Sequence, residues 1–87
     1  MADLKVYTEN SNTRCTLVKQ HLDNESVAYD EINISTDPDQ RARLIDLAQT
    51  QRLVLPYLYV GERVAYKSGD VLTKTKSQIE TRIKDIK

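Results

Sequence analysis

The sequence lacks most of the residues on which disulfide or metal stabilisation depends. It has one cysteine, one histidine, no tryptophan and no phenylalanine among 87 residues. Cys15 therefore cannot form a disulfide within the chain. One cysteine and one histidine are also too few ligands for a zinc site built from protein side chains alone. We expect neither a structural disulfide nor a bound metal.

Long apolar runs are also absent. No segment has enough consecutive apolar residues to cross a bilayer as a helix. Near the N-terminus, residues 4–7 alternate in polarity, whereas a signal peptide has a continuous apolar stretch. We therefore expect a cytoplasmic protein that has no membrane partner.

The charges of the chain cancel, because 13 basic residues balance 13 acidic ones. A surface that binds nucleic acid needs an excess of lysine and arginine on one face, so we predict no nucleic-acid partner. The middle of the chain is acidic and its last third is basic. We interpret this asymmetry as solvated helix surface, with a partner of the opposite charge pattern as the alternative. The length predicts a single domain over residues 1–87, as a monomer or weak oligomer.

The first part of the chain predicts a βαβ unit. Residues 4–8 alternate apolar and polar side chains, as a half-buried strand does. From Thr13 the apolar residues recur at helical spacing, and the helix is expected to end within residues 23–26. Residues 27–34 predict a second strand, which should be parallel to the first. The apolar stripe of the helix consists of Cys15, Val18 and Leu22, with Leu17 beside them.

The remainder predicts a helix, a hairpin and a final helix. Asp37 and Pro38 suit the cap and first position of a helix, and Gln40 would complete a capping box. Residues 54–60 and 63–66 read as two strands, joined at Gly61 by a type II′ turn. An apolar stripe over residues 72–86 predicts the last helix, with a second capping box at residues 77–80. The predicted order is β-α-β-α-β-β-α, an α/β fold with a mixed four-stranded sheet flanked by helices.

The residues in this order resemble the glutaredoxin family, the smallest form of the thioredoxin-like fold. Residues 5–8 (KVYT) are similar to its first strand, and residues 27–34 (VAYDEINI) to its second. Residues 54–56 (VLP) fall on the family's T-V-P motif, whose proline is cis. The resemblance covers almost the whole chain and implies the glutaredoxin fold.

The motif C-P-Y-C, which opens the first helix of the family, is replaced here by Asn12-Thr13-Arg14-Cys15. The family's nucleophile is the first cysteine, and Asn12, which stands at that position, cannot attack a disulfide. Asparagine is instead a favoured helix cap. Cys15 takes the second, resolving position. Its helix start and Arg14 would lower the thiol pKa and burial would raise it, and we interpret Cys15 mainly as a small buried residue.

The resemblance also places a ligand groove. Its predicted residues lie at the start of the first helix, before the third strand and in the turn after the fourth: Asn12, Thr13, Arg14, Leu55, Pro56, Ser68, Gly69 and Asp70. The family's glutathione site is altered, since Glu9 replaces a lysine that meets a glutathione carboxylate, and Tyr66 falls where paired glycines are usual. We therefore expect no cofactor, with glutathione as the one candidate.

These departures leave more than one function open. The first hypothesis is a non-catalytic module that binds a peptide or protein along the groove at Pro56, by pairing with its exposed backbone edge. The alternative is a monothiol oxidoreductase, in which Cys15 forms mixed disulfides with glutathione or a protein thiol. A structural subunit of a larger assembly is a third. A dithiol mechanism within one chain is excluded, because Cys15 is the only cysteine.

Overall fold

A computed structural model describes residues 3–53 and 55–87. Its secondary structure follows the predicted order, with one short 3₁₀ helix added before the last helix. The elements are β1 (Leu4–Thr8), α1 (Thr13–Asn24), β2 (Asp30–Asn33), α2 (Pro38–Ala48), β3 (Tyr57–Val60), β4 (Arg63–Lys67), the 3₁₀ helix (Asp70–Thr73) and α3 (Lys76–Ile86). Val54, which the sequence places in the third strand, lies outside the described residues.

The four strands form one mixed sheet in the order β2-β1-β3-β4. β1 is parallel to β2, with Val6 opposite Glu31, and antiparallel to β3, with Val6 opposite Leu58. β3 and β4 form the predicted hairpin. Gly61 adopts φ +63° at the first turn position, a conformation that glycine reaches without steric cost. The predicted fold class is confirmed.

The sheet separates two apolar clusters, because alternate residues of a strand point to opposite faces. On one face, Val6 and Leu58 pack with Val18 of α1 and Ile79 of α3, all of them inaccessible to solvent. On the other face, three tyrosines and Cys15 pack with α2. This second cluster contains Tyr7, Cys15, Ile34, Leu44, Leu55, Tyr57 and Tyr59. Buried tyrosines supply the bulk that phenylalanine and tryptophan would otherwise give.

Several boundaries differ from the sequence-based predictions. The second strand covers residues 30–33 only, and residues 27–29 lead into it. The last helix begins at Lys76, so Leu72 belongs to the separate 3₁₀ helix. Its capping box joins Thr75 and Gln78, and the predicted box at residues 77–80 is wrong. The sequence pattern favoured Ser77 as the cap because its hydroxyl has the same capping chemistry as that of Thr75, two residues earlier.

None of the helices formed by residues 3–53 and 55–87 is both long and apolar enough to span a bilayer.

Candidate functional site

The start of α1 is built around the side chain of Asn12. Its Oδ1 accepts a hydrogen bond from the backbone N–H of Cys15 at 3.1 Å, the interaction expected of a helix cap. Its Nδ2 donates to Glu9 Oε2 at 2.9 Å. The carboxylate of Glu9 thus fixes which way the amide points. Asn12 therefore satisfies one of the free N–H groups of the helix, and Glu9, which follows β1, holds the Asn12 amide in place.

Cys15 lies one turn behind this cap and is only 2% exposed. Burial raises the pKa of its thiol, and the nearby Glu9 carboxylate acts in the same direction. A hydrogen bond from the Glu9 backbone to the sulfur opposes this pKa shift without reversing it. Of the opposing effects expected on the pKa of Cys15, burial is the larger, and the neutral thiol is therefore favoured.

Arg14 reaches from the first turn of α1 to the turn after β4. Its Nη1 donates to Ser68 Oγ at 2.9 Å. The stem of Arg14 passes over Gly69, where an added Cβ would lie 3.6 Å from Arg14 Cδ. Arg14, Ser68 and Gly69, which the resemblance placed in one groove, are therefore in contact, although more than 50 residues separate them in the chain.

Leu55 and Pro56 lie beneath this surface. The bond between them is cis, as the resemblance implied. Leu55 is 3% exposed, and Pro56 is among the fully buried residues. The carbonyl of Pro56 accepts from Ser68 N at 2.7 Å, which ties the start of β3 to the same turn. Leu55 and Pro56 are thus buried, and they form the floor of this surface.

The other predicted groove residues remain accessible. Thr13, Arg14 and Asp70 are exposed, and Asn12, Ser68 and Gly69 are half-buried. Asp70 begins the 3₁₀ helix, and its carbonyl accepts from Thr73 Oγ1 at 3.2 Å. We call the surface formed by residues 12–14 and 68–70 the groove surface. It is polar, with apolar residues only in its floor.

A polar network that the sequence did not reveal lies behind Cys15. Thr8, 1% exposed, donates its hydroxyl to Glu31 Oε2 at 2.7 Å. Lys19 Nζ lies 3.1 Å from the same oxygen. The Thr8 hydrogen bond and the Lys19 ammonium lower the pKa of Glu31, and burial only partly opposes them. No local pattern links these three residues, since they lie on β1, α1 and β2 and only the packing of these elements brings them together.

Because the folded state lowers the pKa of Glu31, its contribution to stability is present above the unfolded pKa and is lost as pH falls through the folded one. We expect Glu31→Gln to cost about 1 kcal/mol at pH 7, since glutamine still accepts from Thr8 but loses the charge. The cost should shrink below about pH 4. Urea unfolding of both proteins at pH 7 and below about pH 4 measures this cost in free energy of unfolding. An equal cost at the two pH values would contradict the role given to the Glu31 charge.

The one histidine of the chain, His21, lies on α1. It is half-buried, and its Nε2 lies 2.7 Å from the carbonyl oxygen of Lys74. The contact joins α1 to the segment before α3. It serves the packing of the two helices and lies outside the groove surface.

The part of the chain that the structure describes contains no group of three or more His, Cys, Asp or Glu placed to hold a metal ion.

The glutaredoxin family model matches residues 4–65 of the chain. The chain belongs to the glutaredoxin family. The matched segment contains Asn12, Cys15 and Pro56, and the single cysteine of this glutaredoxin is consistent with a variant of the family motif. The turn with Ser68, Gly69 and Asp70 lies beyond the matched segment. No curated protein gives a significant match to the chain.

Solved structures similar to this glutaredoxin agree with the fold. A mutant of the thioredoxin-like protein BC3987 is 21% identical, with a TM-score of 0.73, over 92% of this chain and 97% of that one. The glutaredoxin-like NrdH-redoxin from Escherichia coli is 22% identical, with a TM-score of 0.64, over 90% and 91%. A buckwheat glutaredoxin in complex with glutathione is 18% identical, with a TM-score of 0.71, over 95% and 77%. At these identities the likeness shows a shared fold.

Proposed function

We propose that this glutaredoxin binds an extended peptide segment of a partner protein on its groove surface and does not catalyse thiol–disulfide exchange. The observation that carries the proposal is the pair Glu9–Asn12. An amide that caps α1, fixed by a carboxylate at 2.9 Å, occupies the position of the family's nucleophilic thiol. This arrangement stabilises the helix start and has no nucleophile.

The state of Cys15 supports the same proposal. Exchange begins when a thiolate attacks a disulfide sulfur, so the thiol must be ionised and accessible. Cys15 is 2% exposed, and its thiol pKa is raised by burial. An attack by Cys15 would require the first turn of α1 to open and then a second molecule's thiol to resolve the mixed disulfide. The monothiol alternative therefore depends on a rare open state.

The groove surface has the chemistry that a peptide backbone requires. An extended peptide presents N–H and C=O groups that must find partners when it leaves water. Arg14 has five N–H donors and uses one on Ser68, so others can meet carbonyl or carboxylate oxygens. Because Leu55 and Pro56 are buried, we place the partner on the exposed side chains above them.

Binding needs no cofactor in this proposal. Glutathione is the natural small probe, because it is itself a short peptide and the similar buckwheat glutaredoxin forms a complex with it. Glutathione carries two carboxylates, and the Glu9 carboxylate at the edge of the groove surface would repel one placed beside it. We expect glutathione to bind this chain weakly at most.

The test is a substitution that removes the thiol and keeps the surface. We expect Cys15→Ser to change the Kd for a peptide by less than about twofold, because Cys15 is buried beneath the groove surface and serine can still accept from the Glu9 backbone. Peptides selected by phage display on the wild-type protein supply the ligand, and calorimetry measures the Kd.

Arg14→Ala is the matched variant that should weaken binding, since it removes the exposed donor of the groove surface. Circular dichroism confirms that each variant is folded. Loss of peptide binding in folded Cys15→Ser would contradict the proposal. So would a mixed disulfide that forms rapidly between wild-type protein and oxidised glutathione, detected by mass spectrometry, because that result would establish the monothiol function.

A further inference from the structure

Three charged side chains in or beside the groove surface, those of Glu9, Arg14 and Asp70, form no ion pair in the part of the chain that the structure describes. There the ion pairs are Lys19–Glu31, Arg43–Glu62 and Lys87–Asp3, and neither Glu9 nor Arg14 takes part in one. Glu9 is held by the Asn12 amide, and Arg14 by the Ser68 hydroxyl, each at 2.9 Å. Both holding groups are neutral, so neither compensates the charge that it fixes.

The two charges are held on different sides of the helix start. Glu9 lies where β1 ends and contacts the cap residue Asn12. Arg14 lies in the first turn of α1 and leans toward the turn that contains Ser68 and Gly69. Glu9 therefore places a negative charge next to β1, and Arg14 places a positive charge toward the turn after β4, where the Asp70 carboxylate is also exposed. The side chains of Glu9 and Arg14 are held before any partner arrives.

A partner that covers this surface must compensate both charges. Removing a carboxylate or a guanidinium from water costs free energy unless an opposite charge or good hydrogen bonds replace the water. Glu9 is half-buried already, so a peptide across the groove surface would remove much of its remaining hydration. A peptide with an acidic residue beside Glu9 would add repulsion to that cost.

We infer that the partner segment of this protein carries a basic residue that meets Glu9 and an acidic residue that meets Arg14. The inference rests on the proposed peptide-binding function and names the chemistry of its ligand. It assigns Glu9 two roles. The carboxylate positions Asn12 in the free protein, and it selects a cationic side chain in the complex.

The experiment uses capped synthetic peptides of one length that differ only in charge. One carries lysine and glutamate, two have glutamine in place of either charged residue, and the fourth has glutamine at both positions. Peptides with the two residues separated by one, two or three positions cover the unknown spacing. Amide shifts of Thr13, Arg14, Ser68 and Gly69 in NMR titrations of the full chain give the Kd of each peptide.

Each contact is isolated by a double-mutant cycle. We expect the peptide lysine to improve the Kd for the wild-type protein about two- to fivefold, the range measured for exposed ion pairs. The same lysine should give no improvement with Glu9→Gln. The peptide glutamate should show the same dependence on Arg14, lost in Arg14→Gln. Both gains should fall as salt is raised. Glutamine at position 9 can still accept from the Asn12 amide, so the cap is kept.

Glu62→Gln and Arg63→Gln are the matched controls, because both residues are exposed at the β3–β4 hairpin. Coupling of the same size in these variants would overturn the inference, as would equal binding of all four peptides to wild type. In that second case the peptide-binding function stands and only its charge selection is wrong. If none of the four peptides shifts the groove amides at millimolar concentration, the proposed function fails and the inference fails with it.

Discussion

Asn12→Cys combined with Glu9→Gln is expected to turn this protein into a disulfide reductase. Asn12 already caps α1, and its side chain accepts from the backbone N–H of Cys15 in the first turn. A thiol at the start of a helix has its pKa lowered, because the N–H groups and the helix dipole stabilise the thiolate. Cys15 then stands three residues further along, where it can resolve the mixed disulfide. The scaffold for exchange is in place, and one side chain is missing.

Glu9 is the reason for the second substitution. Its carboxylate lies 2.9 Å from the Asn12 amide, so it would face a thiol introduced by Asn12→Cys. A like charge this close raises a pKa, by about one to three units. We therefore expect Glu9→Gln to lower the pKa of the introduced thiol by about one unit or more. The attack rate at pH 7 should gain only about two- to threefold per unit, since a less basic thiolate is also less nucleophilic.

The assay is the reduction of a small disulfide, with the pKa taken from the pH dependence of alkylation. Thr16→Cys is the matched control, because it puts an exposed thiol on the same helix one turn beyond the cap. Asn12→Cys with Cys15→Ser separates a monothiol from a dithiol route. If the folded double variant is as inactive as wild type, the rest of the groove surface does not admit a disulfide. If Glu9→Gln leaves the thiol pKa unchanged, the role given to Glu9 is wrong.

Cys15 is expected to react with iodoacetamide about a thousandfold more slowly in the folded protein than in the unfolded chain. With 2% of its surface exposed, it reacts through an opened state. An opening that costs on the order of 4 kcal/mol, part of the global stability of a small domain, populates that state at about one in a thousand. The comparison is the alkylation rate in buffer against that in urea, with Thr16→Cys as the exposed reference. Equal rates would show that Cys15 is accessible.

The same burial predicts how stability changes at alkaline pH. The folded state raises the pKa of Cys15, so above the unfolded thiol pKa of about 8.5 the unfolded chain binds fewer protons than the folded one. Stability should therefore fall as pH rises above 8.5, by at most about 1.4 kcal/mol per pH unit from this one group. Cys15→Ser should remove this slope up to about pH 10, where Tyr59, whose pKa is also raised by burial, begins to contribute. A slope that persists in Cys15→Ser would assign it to other groups.

The sequence determined the fold and the identity of the site positions. Alternation over residues 4–8, the cap at Asp37 and the turn at Gly61 are local signals, and each depends on the conformation of a few neighbouring residues. The motif position of Asn12 is equally local. Such features depend on few residues, so the sequence alone could predict them.

Only the tertiary structure decided what those positions do. The sequence left the ionisation of Cys15 open, because burial depends on residues of α2 and β3 that are distant in the chain. It assigned Arg14 to the groove and gave it an effect on the thiol pKa, and only the structure shows that the guanidinium donates to Ser68 in the turn after β4. It also did not show that Leu55 and Pro56 are buried beneath the groove surface. Desolvation and long-range pairing are properties of the packed chain, and no local pattern encodes them.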